Sequence, residues 1–463
     1  MKKLWETGSS DLDPRAEAFM SSLYVDRALL SEDIEGSIAH AAMLGAQGIL
    51  PAERSAALVA TLKDMLREAS SGGLAAGGEA EDVHSFVEAE LTKRLGDAGK
   101  SVHAGRSRND QVALDLRLYL RKAFERAERG VNSCIIALVE LAEQHTHSLM
   151  PAYTHMRRAQ PISLAFHLAA WCAALERDAS RFVDAWRRAD ECPLGSGAVA
   201  GSGLSLDRES TAAALGFSRP SRNAMDATAD RDACVDYAAA ASTLLMHLSR
   251  YCEEIILWTG AEYGFAELSP SCSTGSSIMP QKRNPDVAEL IRGKSASAFG
   301  GLMALLTLQK GVPLGYARDM QEDKAILFDL VKIVDGCLEA FSLLVAALIP
   351  KPDNMRAALD EGFVEATDLA ELLVMKGIPF RDAYGATKAA IAAAEGAGKR
   401  LHELSKEALA ASSPAFSLAG LDPAALKDWL DPAACVARRS HTGGPAPATV
   451  ERELRRLREK AMA

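Results

Sequence analysis

Residues 275–286 read GSSIMPQKRNPD. Small residues, two prolines and paired cations suit neither a helix nor a strand. The segment instead sets Ser276 on a Gly–Ser–Ser turn with Lys282 and Asn284 just beyond it. A serine is a poor base unless its alkoxide is stabilised, and backbone N–H groups with an ammonium can do that. Such a base suits removal of a weakly acidic C–H proton. Acyl transfer is disfavoured, because the chain carries no G-x-S-x-G elbow between strands.

Four more polar segments are dense in groups of this kind. They are KSVHAGRSRNDQ (100–111), MPAYTHMRRAQPI (150–162), CPLGSGAVAGSGLSLDRE (192–209) and PLGYARDMQEDK (313–324). Several open onto expected helix N-termini, where free N–H groups and the helix dipole favour carboxylates. Together they read as a site for a small polyanionic substrate, assembled from segments distant in sequence. Each has a plainer reading beside it. The glycine-rich stretch lacks the lysine and Ser/Thr of a phosphate loop and reads as a flexible connection. Ser107 or Asn109 suits a helix cap, with Asp110 favoured at the positive end. His145 and His147 lack a metal-ligand partner pattern and read as a solvated pair. His155, taken alone, reads as a core histidine, and Ser276, taken alone, as a turn residue.

Long helices must hold these segments in place. From Asn109 to Met150 there is no proline, and Val112, Leu116, Leu120, Phe124, Val131, Ile135, Leu138 and Ala142 recur at steps that make a helical stripe. A helix of that length runs roughly 60 Å. Further proline-free runs lie between Pro161 and Pro193 and at 226–268, 287–309 and 321–348. Charges interrupt all of them, so they are not membrane spans. The expectation is an all-α chain with a central bundle of about five long helices and smaller, mostly helical flanks. The boundaries proposed are 1–105, 106–358 and 359–463. Leu302, Leu305, Leu306 and Leu308 make a face wide enough to need helices of neighbouring subunits. The basic end ERELRRLREKAMA reads as a solvated amphipathic helix.

Composition narrows the class. The 463 residues are 48% hydrophobic and 25% charged, with a formal net charge of −10. That acidity argues against nucleic acid as a partner. Eight cysteines without a C-x-x-C pair, and an N-terminus without a signal peptide's apolar run, point to reduced thiols and a cytoplasmic protein. No membrane association is expected.

GSSIMPQKRNPD resembles the signature of the aspartase/fumarase superfamily. VHAGRSRNDQVALDLRL, YTHMRRAQPI, LGSGAVAG, NAMDATADRDA and YARDMQEDK narrow the resemblance to the argininosuccinate lyase family, as do DIEGSIAHAAML early and ATDLAELLVMKGIPFRDAY late. The resemblance implies β-elimination of argininosuccinate to fumarate and arginine, without cofactor or metal, in a homotetramer whose sites combine three subunits. Ser276 would be the base, and Lys282 with Asn284 would stabilise an aci-carboxylate intermediate. His155, oriented by Glu289, would serve proton transfer. Ser107, Arg108, Asn109 and Thr154 would hold the fumarate side, with His84 nearby. Ser22, Asp26, Tyr316, Gln321 and Lys324 would meet the arginine half.

Ala104, Cys272, Arg283, Tyr384 and Pro445 depart from the family pattern without removing any of these residues. Two rival readings follow. One is a lyase of the same superfamily acting on another N-substituted aspartate, which retention of Asp26, Gln321 and Lys324 disfavours. The other is a crystallin-like structural homologue without activity, since a fold does not guarantee chemistry.

Overall fold

The computed structural model describes residues 13–78 and 80–463. The first twelve residues, on which the signal-peptide reading rests, lie outside them. The five expected long helices are present as Arg108–Glu143, Leu164–Ala189, Asp232–Thr259, Asp286–Gln309 and Asp323–Ala346. Each lies in one of the proline-free runs, to within a residue at its ends. Close approach of two of them to the last depends on glycine. A Cβ on Gly130 would sit 2.8 Å from Leu338 Cδ1, and one on Gly301 would sit 2.9 Å from Leu330 Cδ1. Both glycines let the Asp323–Ala346 helix pack against a neighbour at short range.

Two expectations need correction. The 226–268 run is not one helix. A short helix, Ala224–Ala229, precedes the long one, and Asp230 breaks the chain between them by accepting the Asp232 N–H (2.7 Å). The 150–162 joint is a β-hairpin, with Leu149–Thr154 antiparallel to Arg157–Ser163 and Thr154 opposite Arg157. His155 and Met156 form its two-residue tip, both at positive φ (53° and 58°). Two left-handed residues give a tip the twist that matches paired strands. Here neither is glycine, so local strain is held at this point.

The chain forms two compact units. One comprises the residues up to Glu128 with Ser180–Thr243 and Ala296–Val334; the other comprises Arg129–Ala179, Leu244–Ser295 and Asp335–Ala463. In the first, Tyr237 packs against Phe124 and Phe182, with ring centroids 5.4 and 5.7 Å away. In the second, Trp171 stacks between Tyr251 (4.7 Å) and Trp258 (5.5 Å). Shorter C-terminal helices enclose a separate cluster that includes Leu369, Leu373, Ala390, Phe416 and Leu426.

The basic end is more than a solvated helix. Val450, Leu454 and Leu457 are buried, and Arg456 and Arg458 pair with Glu176 and Glu143 at 2.8 Å. Arg456, with Lys460, holds the Glu176 carboxyl down to about 2. All eight cysteines are free and buried. Among the described residues, no helix is long and apolar enough to cross a membrane.

The first unit also buries a histidine. His40 is fully enclosed, and its Nε2 donates to the Ala104 carbonyl (2.8 Å). Burial, with Arg106 nearby, depresses its pKa to about 3. The unfolded chain therefore binds a proton that the folded chain refuses between pH 6.5 and about 3. Stability conferred by neutral His40 is complete above pH 6.5 and is lost as pH falls, at up to about 1.4 kcal/mol per unit. Urea unfolding at pH 5 and pH 7 should show this slope. His40→Asn should remove its share, and an unchanged slope in the variant would refute the assignment.

Candidate active site

In the first unit the polar segments converge on two clusters. One is built on the turn before Leu23–Asp26 and on the start of the Asp323–Ala346 helix. Ser22 Oγ donates to Asp26 Oδ2, and Asp26 Oδ1 accepts no hydrogen bond although it is buried. Lys324 Nζ lies 3.7 Å from Asp26 Oδ1 and 3.3 Å from Asp323 Oδ1. Arg231, itself buried, closes the row by donating from Nε to Asp323. Burial pushes the Asp26 carboxyl up, and Lys324 opposes it. Burial works against the Lys324 charge, but Asp323 and Asp26 outweigh it and raise the ammonium's pKa. Gln321 Nε2 donates to the Met20 carbonyl (3.0 Å), which steadies the same turn. Tyr316 is half-buried and close enough to Lys324 to feel its charge. An enclosed carboxylate with one free oxygen is a receptor for a cationic group.

The second cluster begins at the N-terminus of the Arg108–Glu143 helix. Ser107 Oγ accepts the Asn109 N–H (3.3 Å), while Asp110 Oδ1 accepts the Ser107 N–H (2.9 Å), so the ends cap each other. Asn109 Nδ2 donates to the Ala198 carbonyl (3.2 Å). Arg108 Nη1 is turned to Asp82 and to Ser85 Oγ. His84 is buried: its Nδ1–H donates to Asp33 Oδ1 (2.9 Å), and Asp115 Oδ2 lies 3.6 Å away. Burial favours the neutral ring, but Asp33 prevails and the His84 pKa is raised. Burial and Asp33 together push the Asp115 carboxyl well up. Asp33, His84 and Asp115 have ligand atoms within 4.8 Å of one another, a spacing open to a metal ion. His84 and Gln111 both donate to Asp33 Oδ1, whereas Asp33 Oδ2 and both Asp115 oxygens are buried without a hydrogen-bond partner.

The second unit carries the serine loop and the histidine. Thr274–Gly275 pairs with Arg283–Asn284, so the Ser276–Lys282 segment is the loop of a minimal hairpin. Asp286, in the first turn of the Asp286–Gln309 helix, accepts from Thr274 N (3.1 Å) and Oγ1 and anchors its base. Ser276 Oγ accepts the N–H groups of Ile278 (3.3 Å) and Met279 (3.1 Å). These are the donors that would stabilise an alkoxide. Lys282 is exposed and Asn284 half-buried.

His155 is exposed at its strained hairpin tip beside exposed Thr154, which overturns the core-histidine reading. Arg158 fastens that hairpin to Glu361 (2.8 Å). Glu289 is exposed, and within the chain it makes no hydrogen bond to His155. Reading the sequence for reactive groups missed the buried supports Asp33, Gln111, Asp115, Arg231 and Asp323. For Asp33, Gln111 and Asp115 the signal was polar residues inside otherwise apolar helices; Arg231 lies between two helices and Asp323 opens one, so neither carried it.

Two family models match the chain: a lyase model over residues 7–300 and the argininosuccinate lyase C-terminal model over residues 363–437. The chain is 46% identical over 461 residues to the argininosuccinate lyase of Pelotomaculum thermopropionicum, covering 99% of both. It is 45% identical over 463 residues to that of Methylococcus capsulatus, covering 100% of this chain and 98% of the relative. Among solved structures it is similar to EDDS lyase in complex with formate, with a TM-score of 0.83, 30% identity and coverage of 95% and 87%. The muconate lactonizing enzyme of Pseudomonas putida shares the fold at 21% identity and a TM-score of 0.74, with 97% of this chain and 100% of that one covered.

Proposed function

The chain belongs to the argininosuccinate lyase family, and from that premise we propose how its own residues cleave argininosuccinate to fumarate and L-arginine. Ser276, as alkoxide, takes a proton from the succinyl carbon next to a carboxylate. The electron pair moves into that carboxylate, giving an aci-carboxylate that Lys282 and Asn284 stabilise. The C–N bond then breaks, its electrons leave with the guanidino nitrogen, and that nitrogen takes up a proton. His155, oriented by Glu289, serves this proton traffic. Ser107, Arg108, Asn109 and Thr154 hold the carboxylates, with His84 nearby. Ser22, Asp26, Tyr316, Gln321 and Lys324 receive the arginine half.

The observation that carries this reading is Ser276 Oγ resting on two backbone N–H groups beside a lysine-bearing loop. It supplies the stabilisation that a serine base requires.

The proposed assembly is a homotetramer in which each site draws residues from three subunits. It is supported by exposed Leu290, Phe299, Met303 and Leu306 along the Asp286–Gln309 helix. Apolar surface of that extent on one helix calls for a partner. The three-part division at 105/106 and 358/359 and a reducing cytoplasm, supported by the eight free thiols, complete the proposal.

The test is fumarate formation followed by ultraviolet absorbance, with argininosuccinate, adenylosuccinate and aspartate in parallel. Fumarate from argininosuccinate alone is expected. Activity confined to another substrate would favour the N-substituted aspartate alternative, for which Ala104 and Cys272 are the marked departures. Silence on all three would favour the crystallin-like one.

A further inference from the structure

The glycine-rich 194–201 segment and the Ser107–Asn109 turn come from different parts of the chain, and one side chain joins them. Asp110 is completely buried. Its Oδ1 accepts the Ser107 N–H (2.9 Å), and its Oδ2 accepts those of Gly195 (2.9 Å) and Gly197 (2.8 Å). Three backbone donors thus converge on one carboxylate. Gly195 and Gly197 can present their N–H groups this way because both adopt positive φ (89° and 61°). A Cβ on Gly197 would come within 2.6 Å of the Gly201 carbonyl oxygen. Arg208 secures the other side of the segment, donating to the Leu194 carbonyl (3.1 Å) and to Ser196 Oγ (3.1 Å). Asn109 Nδ2 reaches the same segment at Ala198.

We propose that Asp110 is a positioning residue for carboxylate recognition: it locks the glycine-rich segment onto the Ser107–Asn109 turn and so fixes where that turn's donors point. The inference rests on the argininosuccinate reading of the turn. An amide cannot replace this carboxylate, because its NH2 would face an N–H donor in place of accepting from it. The substituted turn loses its register, while the Asp26 cluster keeps its own contacts.

The test compares wild type with Asp110→Asn by turnover of argininosuccinate and by calorimetric binding of fumarate and of L-arginine. Wild type should turn over argininosuccinate. Asp110→Asn should raise KM and weaken fumarate roughly 10- to 100-fold, as small misplacements of binding groups do, and leave arginine affinity within a factor of about two. Amide exchange at Gly195 and Gly197 should rise in the variant. If Asp110→Asn does not fold, Gly197→Ala serves in its place, because its Cβ displaces the same N–H, and the same split between fumarate and arginine is expected. Unchanged fumarate affinity in the folded variant overturns the inference while leaving the lyase reading intact, as does an equal loss for both ligands, the mark of a merely structural role. A wild type that turns over no argininosuccinate overturns the lyase reading, and this inference with it.

Discussion

Ser276→Ala should lower kcat by about 10²–10⁴-fold, the range a positioned base contributes, with KM for argininosuccinate changed only a few-fold. The hydroxyl stands where Ile278 and Met279 direct their N–H groups. Those donors stabilise negative charge on Oγ, and that charge is needed only when the proton is being removed. Loss of the hydroxyl therefore removes transition-state stabilisation and leaves ground-state binding largely in place. Steady-state kinetics with fumarate absorbance reads both parameters. Near-normal turnover in Ser276→Ala would reject Ser276 as the base. If His155→Asn then abolished turnover, the base role would pass to the imidazole on the hairpin tip.

The serine turn was legible because its residue types conflict with any regular element, and a segment that resists helix and strand in a helical chain needs another reason to exist. The long helices were legible from Asn109, Val112 and the apolar stripe that follows, because proline-free periodicity is a local property. The hairpin at 149–163 was not. Its strands carry two prolines, and its tip places His155 and Met156 at positive φ without a glycine to announce it. Tertiary support from Arg158 and Glu361 overrides local preference there. The same limit hid the supports of the site. Asp33, Asp115 and Asp323 are buried carboxyl groups on helices, and nothing in their spacing tells which group each will face. Arg231 meets Asp323 only after the chain has folded. Reactive groups at loop ends can be read from type and spacing, whereas the buried charges that hold them depend on long-range packing.

Asp26→Asn should weaken L-arginine and argininosuccinate far more than fumarate. Asp26 Oδ1 is buried and accepts no hydrogen bond, so it is the atom in this cluster left free for a ligand's N–H. A hydrogen bond to a charged group contributes about 1.5–3 kcal/mol, so arginine affinity should fall by roughly 10- to 150-fold, taking about 1.4 kcal/mol per tenfold. Fumarate carries no cation and should bind the variant nearly as it binds wild type. The substitution also leaves Lys324 with one carboxylate, and Asp323, steadied by Arg231, is sufficient to keep the ammonium in place. A pH series adds a second reading. Burial raises the Asp26 pKa above its ordinary value, so lowering the pH protonates Asp26 earlier than an exposed carboxylate. Wild-type arginine affinity should then decline as pH falls toward that raised pKa, while the Asp26→Asn variant, already neutral there, lacks this component. Isothermal titration with arginine and fumarate across that series measures both effects. Equal losses for the two ligands, or the same pH dependence in the variant, would remove Asp26 from the arginine half of the site.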